Sequence, residues 1–148
     1  MGAFSNLGEF SDAQALVASA ASTNTIDLAT TRQQIGVGVP IYICIRVAAA
    51  FTDATSYAFQ LENDSTVAFT SAVVFPLRAA IVIASLTAGT WVYRGTIPYE
   101  CSERHIRLYY TEAGSTETAG TIDAWLDTKP PSDIGANAQV WASPVGNP

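Results

Sequence analysis

The length, composition and charge of the chain limit what it can be. It has 148 residues, of which 49% are hydrophobic and 14% are charged. This length suits one domain with its own core, and the high apolar and low charged content excludes intrinsic disorder. Thirteen acidic against seven basic residues give a formal net charge of −6. Such a chain repels a phosphate backbone, so we expect no nucleic acid partner.

No segment of the sequence resembles a membrane span or a secretory signal. The longest apolar stretch, residues 73–86, is interrupted by a proline and an arginine and is shorter than the roughly 18 uncharged apolar residues that a spanning helix needs. Residues 1–10 lack a basic cluster followed by an apolar run. We therefore expect no membrane association and no export. Cys44 and Cys101 are too few for a disulfide scaffold and are predicted to be reduced.

The first patterned segment, residues 11–21, carries two competing signals. Ser11-Asp12-Ala13-Gln14 fits a capping box, and the alanine-rich stretch after it favours a helix. The segment has little amphipathic stripe and runs directly into Ser22-Thr23-Asn24-Thr25, which favours a strand. We prefer strands over residues 14–17 and 25–28, with the helix as the alternative.

Two-residue alternation predicts strands over residues 39–47, 57–62, 105–111 and 120–128. Further strands are predicted over residues 67–75, closed by Pro76, which marks either the end of a strand or an edge strand, then over 81–83, and over 91–97 with its aromatic residues on one face. About nine short strands with polar turns predict an all-β, antiparallel β-sandwich of jelly-roll type. The alternation directs five large side chains inward: Ile43, Ile45, Phe59, Leu108 and Leu126.

The composition changes at both ends of the chain. It predicts an N-terminal arm over residues 1–9, a jelly-roll domain over 10–128 and a Pro-rich C-terminal arm over 129–148, which holds four of the seven prolines. Extended arms dock through apolar anchors, and prolines lower the entropy cost of ordering them. The candidate interface residues in the arms are Phe4, Leu7, Pro130, Pro131, Trp141 and Pro144.

His105 is the only histidine, so any imidazole-based catalysis or metal site must use it. Cys101 precedes it by four residues, but on a strand that spacing separates two side chains by about 13 Å. A polar histidine at a strand entry is the preferred interpretation. Arg104 and Arg107 are predicted to form ion pairs with Glu100, Glu103 or Glu112, and not to bind phosphate. The sequence thus predicts no catalytic residue, no metal site and no cofactor.

Asp123, Trp125 and Asp127 share one face of a predicted strand, an arrangement that would suit a sugar-binding cleft or a glycosidase. A solvated strand face is the simpler interpretation of the two aspartates. A set of aromatic residues could likewise form a stacking platform for a ligand, although sandwich cores and subunit contacts use the same residue types. The set is Trp91, Tyr93, Tyr109, Tyr110 and Trp125.

Two sequence blocks resemble a known family. The run Phe10-Ser11-Asp12-Ala13-Gln14-Ala15-Leu16, followed by Ala21-Ser22-Thr23-Asn24-Thr25-Ile26-Asp27-Leu28, is similar to the opening of the capsid cement (decoration) proteins of tailed bacteriophages, of the type found in Bordetella phages. Gly120-Thr121-Ile122-Asp123-Ala124-Trp125-Leu126 is similar to the closing strand of that family. Together the blocks cover roughly a fifth of the chain, and the tail after Lys129 has no match.

The resemblance implies a jelly-roll protein without catalytic activity. Such a protein is made in the cytoplasm of the bacterial host, sits on the outer surface of the virion and clamps neighbouring subunits of the major capsid protein. The resemblance also implies self-association, as dimers across two-fold positions of the lattice or, alternatively, as trimers. A carbohydrate-binding or carbohydrate-cleaving jelly roll, suggested by Trp125 between Asp123 and Asp127, is the alternative function.

Overall fold

The computed structural model describes residues 8–28 and 41–127, which fold as two antiparallel β-sheets packed together. The predicted all-β sandwich is confirmed, and the jelly-roll order of its connections stays a prediction. No helix in these two ranges has the length and apolar character needed to cross a membrane. The strands are β1 Glu9–Ala15, β2 Ala20–Ala21, β3 Ile26–Asp27, β4 Tyr42–Ala49, β5 Ser56–Asp64, β6 Val73–Val82, β7 Trp91–Thr96, β8 His105–Ala113 and β9 Thr121–Asp127.

The two sheets each have a simple order of neighbours. The front sheet is ordered β1-β9-β4-β7, and the back sheet is ordered β2-β8-β5-β6, with β3 also paired to β8. A 3-10 turn, Ile83–Ser85, follows β6. The edge strands β6 and β7 contact each other, so they close one side of the sandwich. Strands β1 and β2 lie on the opposite side.

The core lies between the sheets and follows the predicted alternation. All five side chains predicted to point inward are at most 4% exposed. Phe59 of the back sheet packs edge-on against Tyr110, with ring centroids 5.7 Å apart. At one end of the sandwich the ring centroids of Phe51 and Tyr57 are 4.9 Å apart. The Phe51 ring also lies over Gly120, where any Cβ would collide with it. Burial of these large side chains supplies most of the stabilisation of the fold.

The segment with competing signals is a strand, although its position differs from the prediction. β1 covers Glu9–Ala15, and residues 16–19 then leave the sheet, so the strand predicted over 14–17 was placed too late. Two register irregularities interrupt its pairing with β9. Ala13, in the left-handed region at φ 45°, donates its N–H to Asp123 Oδ1 at 2.7 Å. The Asp123 side chain of β9 thus holds Ala13 in the irregular part of the β1–β9 pairing, which the sequence pattern did not reveal.

The strand predicted over residues 67–75 is confirmed only for residues 73–75 and is wrong for 67–72. Residues 65–72 form a turn region, and β6 then continues through Pro76 to Val82. Pro76 is tolerated because β6 is an edge strand, in which one side of the backbone has no partner strand among the described residues. The Asp64 carboxylate shapes the turn region by accepting the backbone N–H groups of Thr66 and Ser71 at 2.9 and 2.8 Å.

The aromatic residues of β7 do not share a face as predicted. Trp91 lies opposite Arg46 of β4, whereas Tyr93 lies opposite Ile45, the neighbouring residue on that strand. A register shift between these two pairs places Trp91 on the outer face and Tyr93 against the core. A bulge of this kind breaks the two-residue period, so alternation alone assigns the wrong face.

Candidate functional site

The outer face of the front sheet brings together six side chains that we call the indole patch: Cys44, Arg46, Trp91, Arg94, Asp123 and Trp125. Residues directly opposite each other in an antiparallel sheet share a face. One row of opposite residues runs Trp125, Cys44, Arg94, and the next runs Asp123, Arg46, Trp91. Strand register alone therefore assembles this patch from β9, β4 and β7.

The geometry of the indole patch is that of stacked aromatic rings and cations. The Trp91 and Trp125 ring centroids are 5.7 Å apart with the planes tilted by 56°. The guanidinium carbons of Arg94 and Arg46 lie 5.3 and 5.9 Å from the Trp91 ring centroid, within the range of cation–π attraction. Arg46 also forms an ion pair with Asp123, with 3.7 Å between its Nη2 atom and Asp123 Oδ2. Aromatic and arginine side chains of this kind dominate binding energies at protein interfaces.

Cys44 is the buried residue of the indole patch, and its thiol is not a nucleophile at neutral pH. Its side chain is fully buried. Burial and, to a lesser extent, the Asp127 carboxylate together raise the pKa of the Cys44 thiol to about 12, although Arg94 offsets part of their effect. The reactive thiolate form is therefore scarce. Trp125 Nε1, also buried, has no hydrogen-bond acceptor among the residues that the structure describes.

The two carboxylates of the alternative glycosidase interpretation, Asp123 and Asp127, do not have the spacing that glycoside hydrolysis requires. Asp123 accepts the Ala13 N–H with one oxygen and pairs with Arg46 through the other. Asp127 lies four residues further along β9, about 13 Å away along the strand. Glycoside hydrolysis requires two carboxyl groups roughly 5 to 9.5 Å apart.

The predicted aromatic platform is divided between three locations. Trp91 and Trp125 meet in the indole patch, as described above. Tyr93 packs against the core, and Tyr110 is fully buried within it. Tyr109 lies on the outer face of the back sheet, with its ring 5.9 Å from the Arg107 guanidinium. The five residues therefore do not form one ligand surface.

His105 is the first residue of β8, as predicted, whereas the two nearby arginines pair with carboxylates other than those predicted. Arg104 forms a bidentate ion pair with Asp27 at 2.7 and 2.8 Å, and Arg107 pairs with Glu62 at 2.6 Å. The predicted pairing with Glu100, Glu103 or Glu112 is therefore wrong, because β3 and β5 flank β8 and supply nearer carboxylates. His105 Nδ1 is 4.0 Å from Asp27 Oδ1. Cys101 is buried in the turn before β8, where its N–H bonds the Pro98 carbonyl.

The end of β5 carries three consecutive buried polar residues, Glu62, Asn63 and Asp64. Each is used inside the fold. Glu62 binds Arg107, and Asn63 donates to the His105 carbonyl and accepts the Glu103 N–H. Asp64 holds the turn region, and its backbone hydrogen bonds lower its pKa. These groups fasten the start of β8 and the β5–β6 connection to the back sheet.

The most completely bound carboxylate of the described chain was not anticipated from the sequence. Glu117, 1% exposed, lies in the β8–β9 connection. One oxygen accepts from Thr52 N, Thr52 Oγ1 and Ala119 N at 2.9, 3.1 and 3.0 Å. The other accepts from Asp53 N and Ala54 N at 3.0 and 3.1 Å. Because residues 52–54 lie in the β4–β5 connection, Glu117 ties together two chain segments that pass between the sheets.

The hydrogen bonds decide the ionisation of Glu117. Burial alone raises the pKa of this carboxyl, but the backbone N–H donors outweigh burial and lower the pKa to about 2, from an ordinary 4.5. A carboxylate bound by several N–H groups is typically stabilised in this way. Glu117 is therefore ionised at neutral pH and serves as a structural clamp. Four of its five donors are backbone N–H groups, which leave no residue pattern from which a sequence could predict the clamp.

The predicted arm residues Phe4, Leu7, Pro130, Pro131, Trp141 and Pro144 lie outside the described residues. Within residues 8–28 and 41–127, no group of three or more His, Cys, Asp or Glu side chains is arranged to hold a metal ion. The arrangement that this part of the chain does offer is a folded sandwich with an aromatic and cationic outer face.

Comparison with known proteins identifies the family. The family model described as Bbp16 matches residues 10–126. Comparison with curated proteins gives no match. The match spans most of the chain and both sequence blocks noted above, and the family name suggests a Bordetella phage protein. This chain belongs to the Bbp16 family.

Proposed function

We propose that this chain is a structural protein of a phage head, which binds the outer surface of the capsid and cements neighbouring subunits of the major capsid protein. It acts without catalysis and without a cofactor, on the virion surface, after synthesis in the bacterial cytoplasm. It self-associates, with a dimer favoured over a trimer. The observation that carries the proposal is the family match over residues 10–126, together with the blocks that resemble phage cement proteins.

The use of polar side chains in the fold supports a structural role. Glu62, Asp64 and Glu117 are buried and bound within the sandwich. Asp27 and Asp123 form ion pairs with arginines. A carboxylate committed to structural contacts is held in place and is poorly suited to exchanging protons with a substrate.

The test is binding to capsids that lack this protein. Purified chain is mixed with such capsids and sedimented, and the proposal predicts saturable co-sedimentation together with a higher temperature of capsid disruption. A capsid of an unrelated phage is the control for non-specific adsorption. No saturable binding, or binding that leaves capsid stability unchanged, contradicts the cement function.

The second candidate is carbohydrate binding, favoured by the Trp91–Trp125 contact on the outer face. Indole rings stack on the apolar faces of other rings, and Asp123 stands beside them. The separation of Asp123 from Asp127 along β9 argues against cleavage of a carbohydrate. A glycan array with the wild type and Trp125→Ala distinguishes the two candidates, since a sugar affinity lost in the variant supports carbohydrate binding over cementing.

A further inference from the structure

One side of the sandwich is formed by acid-free sequence. Between Asp64 and Glu100 the chain contains no Asp or Glu, although it has thirteen acidic residues. This stretch includes all of β6 and β7, the two edge strands that contact each other. We call the side made by β6, β7 and the 65–72 turn region the acid-free side. Two acidic residues of β5 border this side: Asp64, which is buried and bound to the backbone of the turn region, and Glu62, which is paired with Arg107.

The same side carries most of the exposed large apolar side chains. Six such side chains are exposed within residues 8–28 and 41–127, and four of them lie here. Isolated exposed apolar residues are ordinary, but these four are spread along one edge of the sandwich, from the turn region to the end of β6, and an apolar edge of this kind favours contact with another molecule. The four are Val67, Val73, Val74 and Val82.

The backbone of β6 is protected against pairing with another strand. Pro76 lacks an N–H, Arg78 is an exposed charge in the middle of the strand, and two register shifts interrupt its pairing with β5. Proline, charge and bulges are the devices by which edge strands avoid open-ended association. Contact on this side therefore takes place through side chains and not through an extended β-ladder.

We propose that the acid-free side is the surface through which two copies of this chain associate. The inference rests on the self-association included in the proposed function and adds its location. Each copy has a net charge of −6, so an approach through acid-bearing surfaces brings like charges together. An approach through the acid-free side avoids this repulsion and covers the exposed valines. Homodimer interfaces are typically depleted of charge and enriched in apolar area in this way.

The test compares two matched substitutions. Val82→Lys introduces a cation on the acid-free side, and Val17→Lys makes the same change on the β1–β2 side. Val82 is 56% exposed and Val17 is 52% exposed, so neither change should unfold the chain, and circular dichroism checks this. Sedimentation velocity with light scattering should find a wild-type dimer. Val82→Lys should raise the dimer dissociation constant at least about tenfold, whereas Val17→Lys should leave it unchanged.

Three results overturn the location. These are a wild type that stays monomeric over the accessible concentration range, a dimer that Val82→Lys leaves intact, and equal weakening by both substitutions. The capsid sedimentation test separates this inference from the proposed function. A dimer that Val82→Lys breaks but that never binds capsids contradicts cementing alone. A Val82→Lys protein that remains a dimer but loses capsid binding assigns the acid-free side to the capsid and contradicts the dimer surface alone.

Discussion

We predict that Glu117→Gln lowers the free energy of unfolding by about 3 kcal/mol. The Glu117 oxygens face two backbone N–H groups each, those of Thr52 and Ala119 on one side and of Asp53 and Ala54 on the other. A glutamine amide must direct its NH₂ group at one of these pairs, whichever way it is turned. Each buried donor left without an acceptor costs about 1 to 3 kcal/mol.

The size of this effect makes it measurable by urea denaturation followed by tryptophan fluorescence. For a domain of this size, about 3 kcal/mol corresponds to a decrease in Tm of roughly 10 °C. Glu100→Gln is the matched control, because it removes the same charge from an exposed residue and should stay within about 0.5 kcal/mol of the wild type.

The pH dependence gives an independent check. The pKa of Glu117 is lowered to about 2 in the folded chain, from an ordinary 4.5. Its contribution to stability is therefore complete above about pH 4.5 and is lost as the pH falls toward 2. The stability difference between wild type and Glu117→Gln should decrease over that interval. A difference below about 0.5 kcal/mol at pH 7, or one that does not change between pH 5 and 2, would refute the clamp.

Three further predictions concern the core, the thiols and the C-terminal arm. Leu108→Ala should cost roughly 2 to 5 kcal/mol in unfolding free energy, because Leu108 is fully buried; a cost below 1 kcal/mol would contradict its place in the core. Thiol titration of the unfolded, unreduced protein should find two free groups, Cys44 and Cys101, and finding none would contradict the reduced state. Deleting residues 130–148 should leave Tm nearly unchanged but weaken capsid binding or self-association; unfolding of the truncated chain, or undiminished binding, would contradict the arm hypothesis.

The parts of the fold that were predictable are those set by regular alternation. Ile43 and Ile45 are inward because β4 is flanked on both sides by strands, and such a strand keeps the two-residue period. Leu108 and Leu126 follow the same rule on β8 and β9. In a regular strand, once one side chain is assigned to the core face, every second side chain lies on the same face. A short run of sequence is therefore sufficient to predict which residues are buried.

The parts that were missed depend on interruptions of that period or on backbone contacts. The bulge between Trp91 and Tyr93 depends on how β7 is matched to β4, which is a property of two distant segments. Pro76 indicates either the end of a strand or an edge strand, and only the position of β6 at the edge of its sheet decides between them. The indole patch was missed as a unit because the sequence places Arg46 and Trp125 far apart, and only strand register makes them neighbours.

The neighbouring positions of β1 and β9 determine how the sandwich responds to mechanical force. These strands are antiparallel, and Glu9, the first residue of β1, lies opposite Trp125, close to the end of β9. A pull applied to the chain before β1 and after β9 would open this pair from one end, loading its hydrogen bonds one at a time and not together. Strands unzipped in this way separate at low force. For the cement function proposed above, contacts on the faces and sides of the sandwich would therefore bear a load better than tension along the two chain ends.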